Sequence, residues 1–107
     1  MEGKVVGGND VLVKVLPQEV KHLHNDEIVI VSRSRLNAEL AFMEMKMEND
    51  AVNERIQIIK YALSDMIAQE IQQKIFARGA KMKVRDVKKI FPNLEDMPSN
   101  TFAQVKA

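Results

Sequence analysis

His22-Leu23-His24 is the segment whose residue types come nearest to a metal site. In an extended backbone, imidazoles two residues apart lie on one side. Asp26 and Glu27 follow directly, and two imidazoles with a carboxylate are the smallest set that holds a transition metal. No third ligand stands at a diagnostic spacing and the segment is polar, so the plainer reading is a pair of exposed loop histidines, and no metal is assigned. The chain has no cysteine, which excludes disulfides, thiolate sites and thiol catalysis. It contains neither G-x-x-x-x-G-K-S/T nor G-x-G-x-x-G, and Gly7-Gly8 lacks the following helix that holds phosphate. There is no G-x-S-x-G, and Ser32, Ser34, Ser64 and Ser99 have no identifiable base near them. No spacing assembles acid, base and nucleophile, so the expectation is a non-enzymatic protein without a cofactor.

Charge is the remaining chemistry. Lys+Arg number 16 and Asp+Glu 15, a formal +1 over 107 residues. Such a balance argues against a protein that coats a polyanion. By segment the picture changes. Residues 1–33 carry four basic against five acidic side chains, and residues 34–77 carry five against seven. Residues 78–107 carry seven against three, a net +4. Six of those seven cations fall within 78–89, an asymmetry that points to nucleic acid or another anionic partner. The plainer alternative is a solvated helix end, where Lys and Arg are favoured. With no Trp, one Tyr and four Phe, a stacking platform for single strands is poorly supplied.

The elements that must position these groups divide the single domain in three. Residues 1–33 are β-rich. Val11-Leu12-Val13-Lys14-Val15-Leu16 ends at Pro17, and Ile28-Val29-Ile30-Val31 is a second run. Lys4-Val5-Val6 is a candidate third strand, joined to the first through the turn residues Gly7-Gly8-Asn9-Asp10. Residues 34–78 are helical, with Ser34 as a candidate N-cap and Gly79 as the residue past the end. Leu36, Leu40, Met43 and Met47 form one stripe. Val52, Ile56, Ile59 and Leu63 form a second, out of phase with the first. The central helix is therefore either broken near Asn49-Asp50, with Asp50 capping a second helix, or continuous with a change of buried face. Ile67, Ile71 and Ile75 extend the second stripe on an adjoining face, and the breadth of Ile56, Ile58, Ile59, Ala62, Leu63, Met66, Ile67 and Ile71 suggests burial on two sides, by the strands and by a second helix or subunit. The two stripes are the expected oligomer interface. Met45 lies off the first stripe and is the best methionine for an adaptable contact.

Residues 79–107 are basic and helical by pattern. Val84, Val87, Ile90 and Phe91 follow helical spacing up to Pro92, and Pro98 or Ser99 starts a short helix to about Lys106. A long helix, the connector Ala80-Lys81-Met82, a basic helix, a turn and a short final helix resemble the three-helix core of helix-turn-helix and winged-helix DNA-binding domains, over roughly the last 45 residues. The resemblance implies that Ser99, Asn100, Thr101 and Gln104 face a groove and that Lys81, Lys83, Arg85, Lys88 and Lys89 contact the backbone.

The expected architecture is α+β: a small N-terminal β-hairpin or three-stranded sheet, a long or broken central helix and a short helical C-terminal segment. The expected function is DNA binding in a regulatory role by a homo-oligomer. The competing class is a helical assembly or adaptor protein that binds another protein through its amphipathic helix. Small viral or phage regulators and particle subunits fit either. No run approaches the length of a membrane span and no signal segment is evident, so the expected location is cytoplasmic.

Overall fold

The computed structural model describes residues 11–106. The expected strand at Lys4-Val5-Val6 and the turn at Gly7-Gly8-Asn9-Asp10 lie outside the described residues.

Two strands form where the β-branched runs predict them. β1 (Val11–Val15) ends just ahead of Pro17, and β2 (Ile28–Ser32) follows Asn25-Asp26. Between them Pro17 opens the single turn α1 (Pro17–Val20). The Glu19 carboxylate there accepts a hydrogen bond from the Leu16 N–H at 2.7 Å, supplying an acceptor that the helix start otherwise lacks.

β2 runs straight into α2 (Arg33–Glu44). Ser32, not Ser34, is the cap: it is the last extended residue, and its Oγ accepts from the Arg35 N–H at 3.2 Å. After Met45–Asn49 comes α3 (Asp50–Gln73), so the central helix is broken. Asn49 rather than Asp50 caps α3, its Oδ1 accepting from the Val52 N–H at 2.9 Å. Asp50 sits in the first turn instead, where a negative charge suits the helix dipole. Arg33 meets Glu70 at 2.7 Å, and Glu44 lies 3.9 Å from Lys60. The two helices therefore run antiparallel.

α3 stops at Gln73, where Lys74 takes a left-handed conformation (φ 57, ψ 36). One Glu70 oxygen accepts both from Arg33 Nη1 and, at 3.0 Å, from the Ala77 N–H, which turns the chain back. Gly79, expected just past the helix, instead opens a strand, β3 (Gly79–Lys83), where a loop is the sequence expectation. α4 (Val84–Ile90) ends ahead of Pro92 as predicted, and a 3-10 turn covers Leu94–Asp96.

The largest correction is at the end of the chain. The expected helix to Lys106 is a strand, β4 (Phe102–Lys106), preceded by a turn. An isolated two-turn helix is marginal in water. As a strand, this segment pairs on both sides and puts Phe102 in the core. The sheet order is β1-β4-β2-β3 and every pairing is antiparallel.

The resulting fold is α+β. Side chains of one sheet face, Val15, Val29, Val31, Ala80, Met82 and Phe102, are buried in a single core cluster with residues of α2, α3 and α4. Phe91 meets Phe102 edge-on, with ring centroids 6.0 Å apart and an interplanar angle of 81°. Leu36, Met43, Val52 and Ile59, expected at an oligomer interface, are buried in this same core. Leu40, Ile56 and Leu63 pack partly against it, and Met47 stands in solvent. The stripes are out of phase because they face each other and the sheet across a chain reversal. Leu36, Met43, Val52 and Ile59 thus serve the inside of one chain.

Two substitutions with opposite signs test this backbone. A Cβ on Gly79 would meet the Val31 carbonyl oxygen and stand 2.7 Å from Ile30 Cγ2. Gly79→Ala is expected to lower unfolding stability by roughly 1–3 kcal/mol. Lys74→Gly removes the left-handed penalty and is expected to raise it by about 0.5–1 kcal/mol. Denaturant midpoints of the two variants check both signs.

Candidate functional site

The basic cluster does not form one free surface. Arg85 and Lys88 reach the loop before β2. Arg85 Nη2 lies 3.2 Å from Asp26 Oδ1, while Lys88 Nζ donates to Asn25 Oδ1 at 3.0 Å and to the Leu23 carbonyl at 3.4 Å. The backbone makes the same connection: the Val84 N–H donates to Glu27 O and the Arg85 N–H to Asn25 O. Lys89 faces Glu54 of α3 at 3.6 Å. These three cations therefore fasten α4 to its neighbours. Lys81 and Lys83 differ, because β3 alternates buried Ala80 and Met82 with these two exposed lysines.

The four residues expected to face a DNA groove are not brought together for that purpose. Ser99 and Asn100 lie in an exposed turn. Thr101 is buried, and its carbonyl accepts from the Ser32 N–H at 3.0 Å. Gln104 Nε2 donates to Glu27 Oε1 at 2.8 Å. Residues 102–106 form an inner strand of the sheet, so the helix expected there is not formed.

The sheet face opposite the core carries a pattern that the sequence analysis did not anticipate. One row runs Lys14, Ala103, Ile30, Lys81 across the four strands. Ile28, Ile30, Ala103 and Val105 are half-buried there, while Lys14, Lys81 and Lys83 are exposed. The face thus has an apolar middle with lysines on its two outer strands.

α3 presents the other unsatisfied chemistry. Ile67, Ile71, Ile75 and Phe76 are 44%, 76%, 57% and 72% exposed. The breadth of the second stripe is met within the chain by α2 and by β3 with α4, and Ile67, Ile71 and Ile75 are left exposed beyond it. Phe76 carried no periodic signal; its ring lies under the Arg33 guanidinium, 5.1 Å from it. Tyr61, also without a sequence signal, stands outward at the edge of a groove between α3 and β3. At the α2–α3 turn, Met45 and Met47 are both strongly exposed.

A separate cavity of about 410 Å³ lies between α2 and the segment after α4. Arg35, Lys46 and Arg55 line it with Glu39 and Asp96. Arg35 pairs with the buried Glu39 at 3.3 Å and stacks over Phe91. Among the described residues no serine or histidine lines this cavity. His22 and His24 are exposed, and His24 Nδ1 accepts from the Asp26 N–H at 3.2 Å. Among the described residues no three His, Asp or Glu side chains converge as a metal site. Nor is any helix there long and apolar enough to cross a membrane.

No family model matches this chain, and comparison with curated proteins and with solved structures gives no match either.

Because Lys88 is a structural tether, Lys88→Met is expected to cost roughly 1 kcal/mol of stability. Faster amide exchange in residues 23–27 should accompany the loss. Unchanged exchange there would show that the tether does not hold the loop.

Proposed function

We propose that this chain is a non-enzymatic assembly or adaptor module that binds protein through the C-terminal part of α3. The observation that carries this is the patch of Ile67, Ile71, Ile75 and Phe76, which remains exposed after the chain has formed its own core. Exposed apolar groups clustered in this way mark interaction sites more often than chance surface. Ile67 and Ile71 lie one helical turn apart, and Ile75 and Phe76 continue just beyond the helix end. This is the anchor spacing by which an amphipathic helix enters a partner's groove. Met45 and Met47 at the far end of the helix pair offer a second adaptable contact.

One observation favours a second reading. Lys14, Lys81 and Lys83 share a sheet face, an arrangement suited to phosphate contacts along a nucleic-acid backbone. That face holds no aromatic side chain among its described residues, so such binding would be shape-blind and strongly salt-dependent.

Recovery of partners from an extract of the producing cells tests the first reading. Ile71→Asp with Ile75→Asp should keep the far-UV spectrum and lose the partners that the wild type retains. Equal recovery by both proteins would remove the reading. A shift of duplex or single strand at about 50 mM salt, lost on Lys81→Glu with Lys83→Glu, would favour the nucleic-acid reading instead.

A further inference from the structure

The groove between α3 and β3 has a volume of about 500 Å³. Ile28, Ile58, Ala62 and Met82 make its surface apolar, and Tyr61, the only tyrosine in the chain, stands 79% exposed beside them. Its charges are sorted by element. The strand side carries Lys81 and Lys83, and the helix side carries Glu54 and Asp65. Asp86 of α4 lines the groove too, and Glu54 also faces Lys89.

We propose that this groove is the docking site for a second copy of the same chain, in a two-fold symmetric dimer. The proposal rests on the protein-binding reading above, but it uses a different face of α3 and names the partner. Its support is charge complementarity. In a two-fold interface the same patch meets itself, so every contact occurs twice. If the axis runs along the groove, the lysine side of each copy lies over the acidic side of the other. If the axis runs across the groove, lysine faces lysine and carboxylate faces carboxylate. Antiparallel pairing of the two β3 strands about Lys81 would also set Lys81 against its own mate. Charge therefore selects one arrangement among those that cover the same apolar surface.

In the selected arrangement each Tyr61, on the helix side with Glu54 and Asp65, lies over the β3 side of the partner's groove. A tyrosine contributes a large, rigid contact area and is a frequent energetic centre of interfaces. The lysine–carboxylate pairs at the rim set orientation and speed encounter more than they add affinity. A foreign partner would need the opposite charge order beside an apolar centre, whereas a second copy supplies it by symmetry.

Light scattering on size-separated protein, across a salt series, tests the proposal with charge-swapped variants. The wild type is expected to be a dimer, weakened only modestly as salt screens the rim pairs. Lys81→Glu with Lys83→Glu makes both sides of the groove acidic, and Glu54→Lys with Asp65→Lys makes both basic. Each variant alone is expected to be monomeric, with a native far-UV spectrum. An equimolar mixture of the two should recover the dimer mass, because each side again faces its opposite. Tyr61→Ala should weaken the wild-type dimer at least tenfold. A monomeric wild type at every concentration would overturn the proposal, as would a dimer indifferent to both swaps or a mixture that stays monomeric. A dimer lost only with Ile71→Asp and Ile75→Asp would move self-association to the end of α3. That result would remove the groove proposal and leave the protein-binding reading standing.

Discussion

β4 hydrogen-bonds on both sides at once, to β1 through five registered residues and to β2 through three. Without it β1 would have no partner among the described strands, because it pairs there with β4 alone. A lone strand leaves its backbone donors and acceptors unpaired, and a two-stranded remainder is marginal in water. The same segment delivers Phe102 to the core, and its preceding turn gives the Thr101 carbonyl to the Ser32 N–H where β2 becomes α2. The sheet, the start of α2 and the packing of Phe91 therefore all depend on a pairing between residues about ninety positions apart in sequence.

The unequal length of the two central helices sets the surface. α2 has 12 residues and α3 has 24. At 1.5 Å per residue these are about 18 and 36 Å long. Running antiparallel from a short turn, α2 cannot shield the whole of α3. Part of the longer helix is left to β3, α4 and solvent, and the exposed Ile71, past the Arg33–Glu70 pair at the start of α2, is the consequence. The Arg33–Glu70 pair and the Glu70–Ala77 bond then fix where the chain returns as β3. That return creates the groove and sets its charge order, because strand alternation turns Lys81 and Lys83 away from the core.

Local signals were reliable wherever a short-range rule decides the outcome. Pro17 and Pro92 bound their elements, the β-branched runs became β1 and β2, and the helical stripes became α2 and α3. The phase change between stripes near Asn49 allowed either a break or a change of buried face, and the fold takes the break. Caps shifted by one or two residues, since the side chain that best reaches the free N–H groups wins, and several Ser, Asn and Asp residues compete nearby. The segments misread as loop and helix, 79–83 and 102–106, are short and mixed in composition. Ala80-Lys81-Met82 and Phe102-Ala103-Gln104-Val105 carry no strong preference of their own. Their state comes from pairing with β2, which lies far away in sequence.

The sequence by itself determined the α+β class, the central helical region and the segregation of positive charge into the last third. These follow from periodicity, turn residues and simple counting. Tertiary structure alone decided what each charge and each apolar stripe is for. Arg85, Lys88 and Lys89 became tethers because the loop at 23–27 and Glu54 fold against α4. Leu36, Met43, Val52 and Ile59 became core because two antiparallel helices and a sheet close over them. Lys81 and Lys83 stayed exposed because β3 pairs with β2 in one register, and a slip of a single residue would have exchanged them with Ala80 and Met82. Spacing along the chain fixes which side chains share a face. Only the packed fold fixes what that face meets.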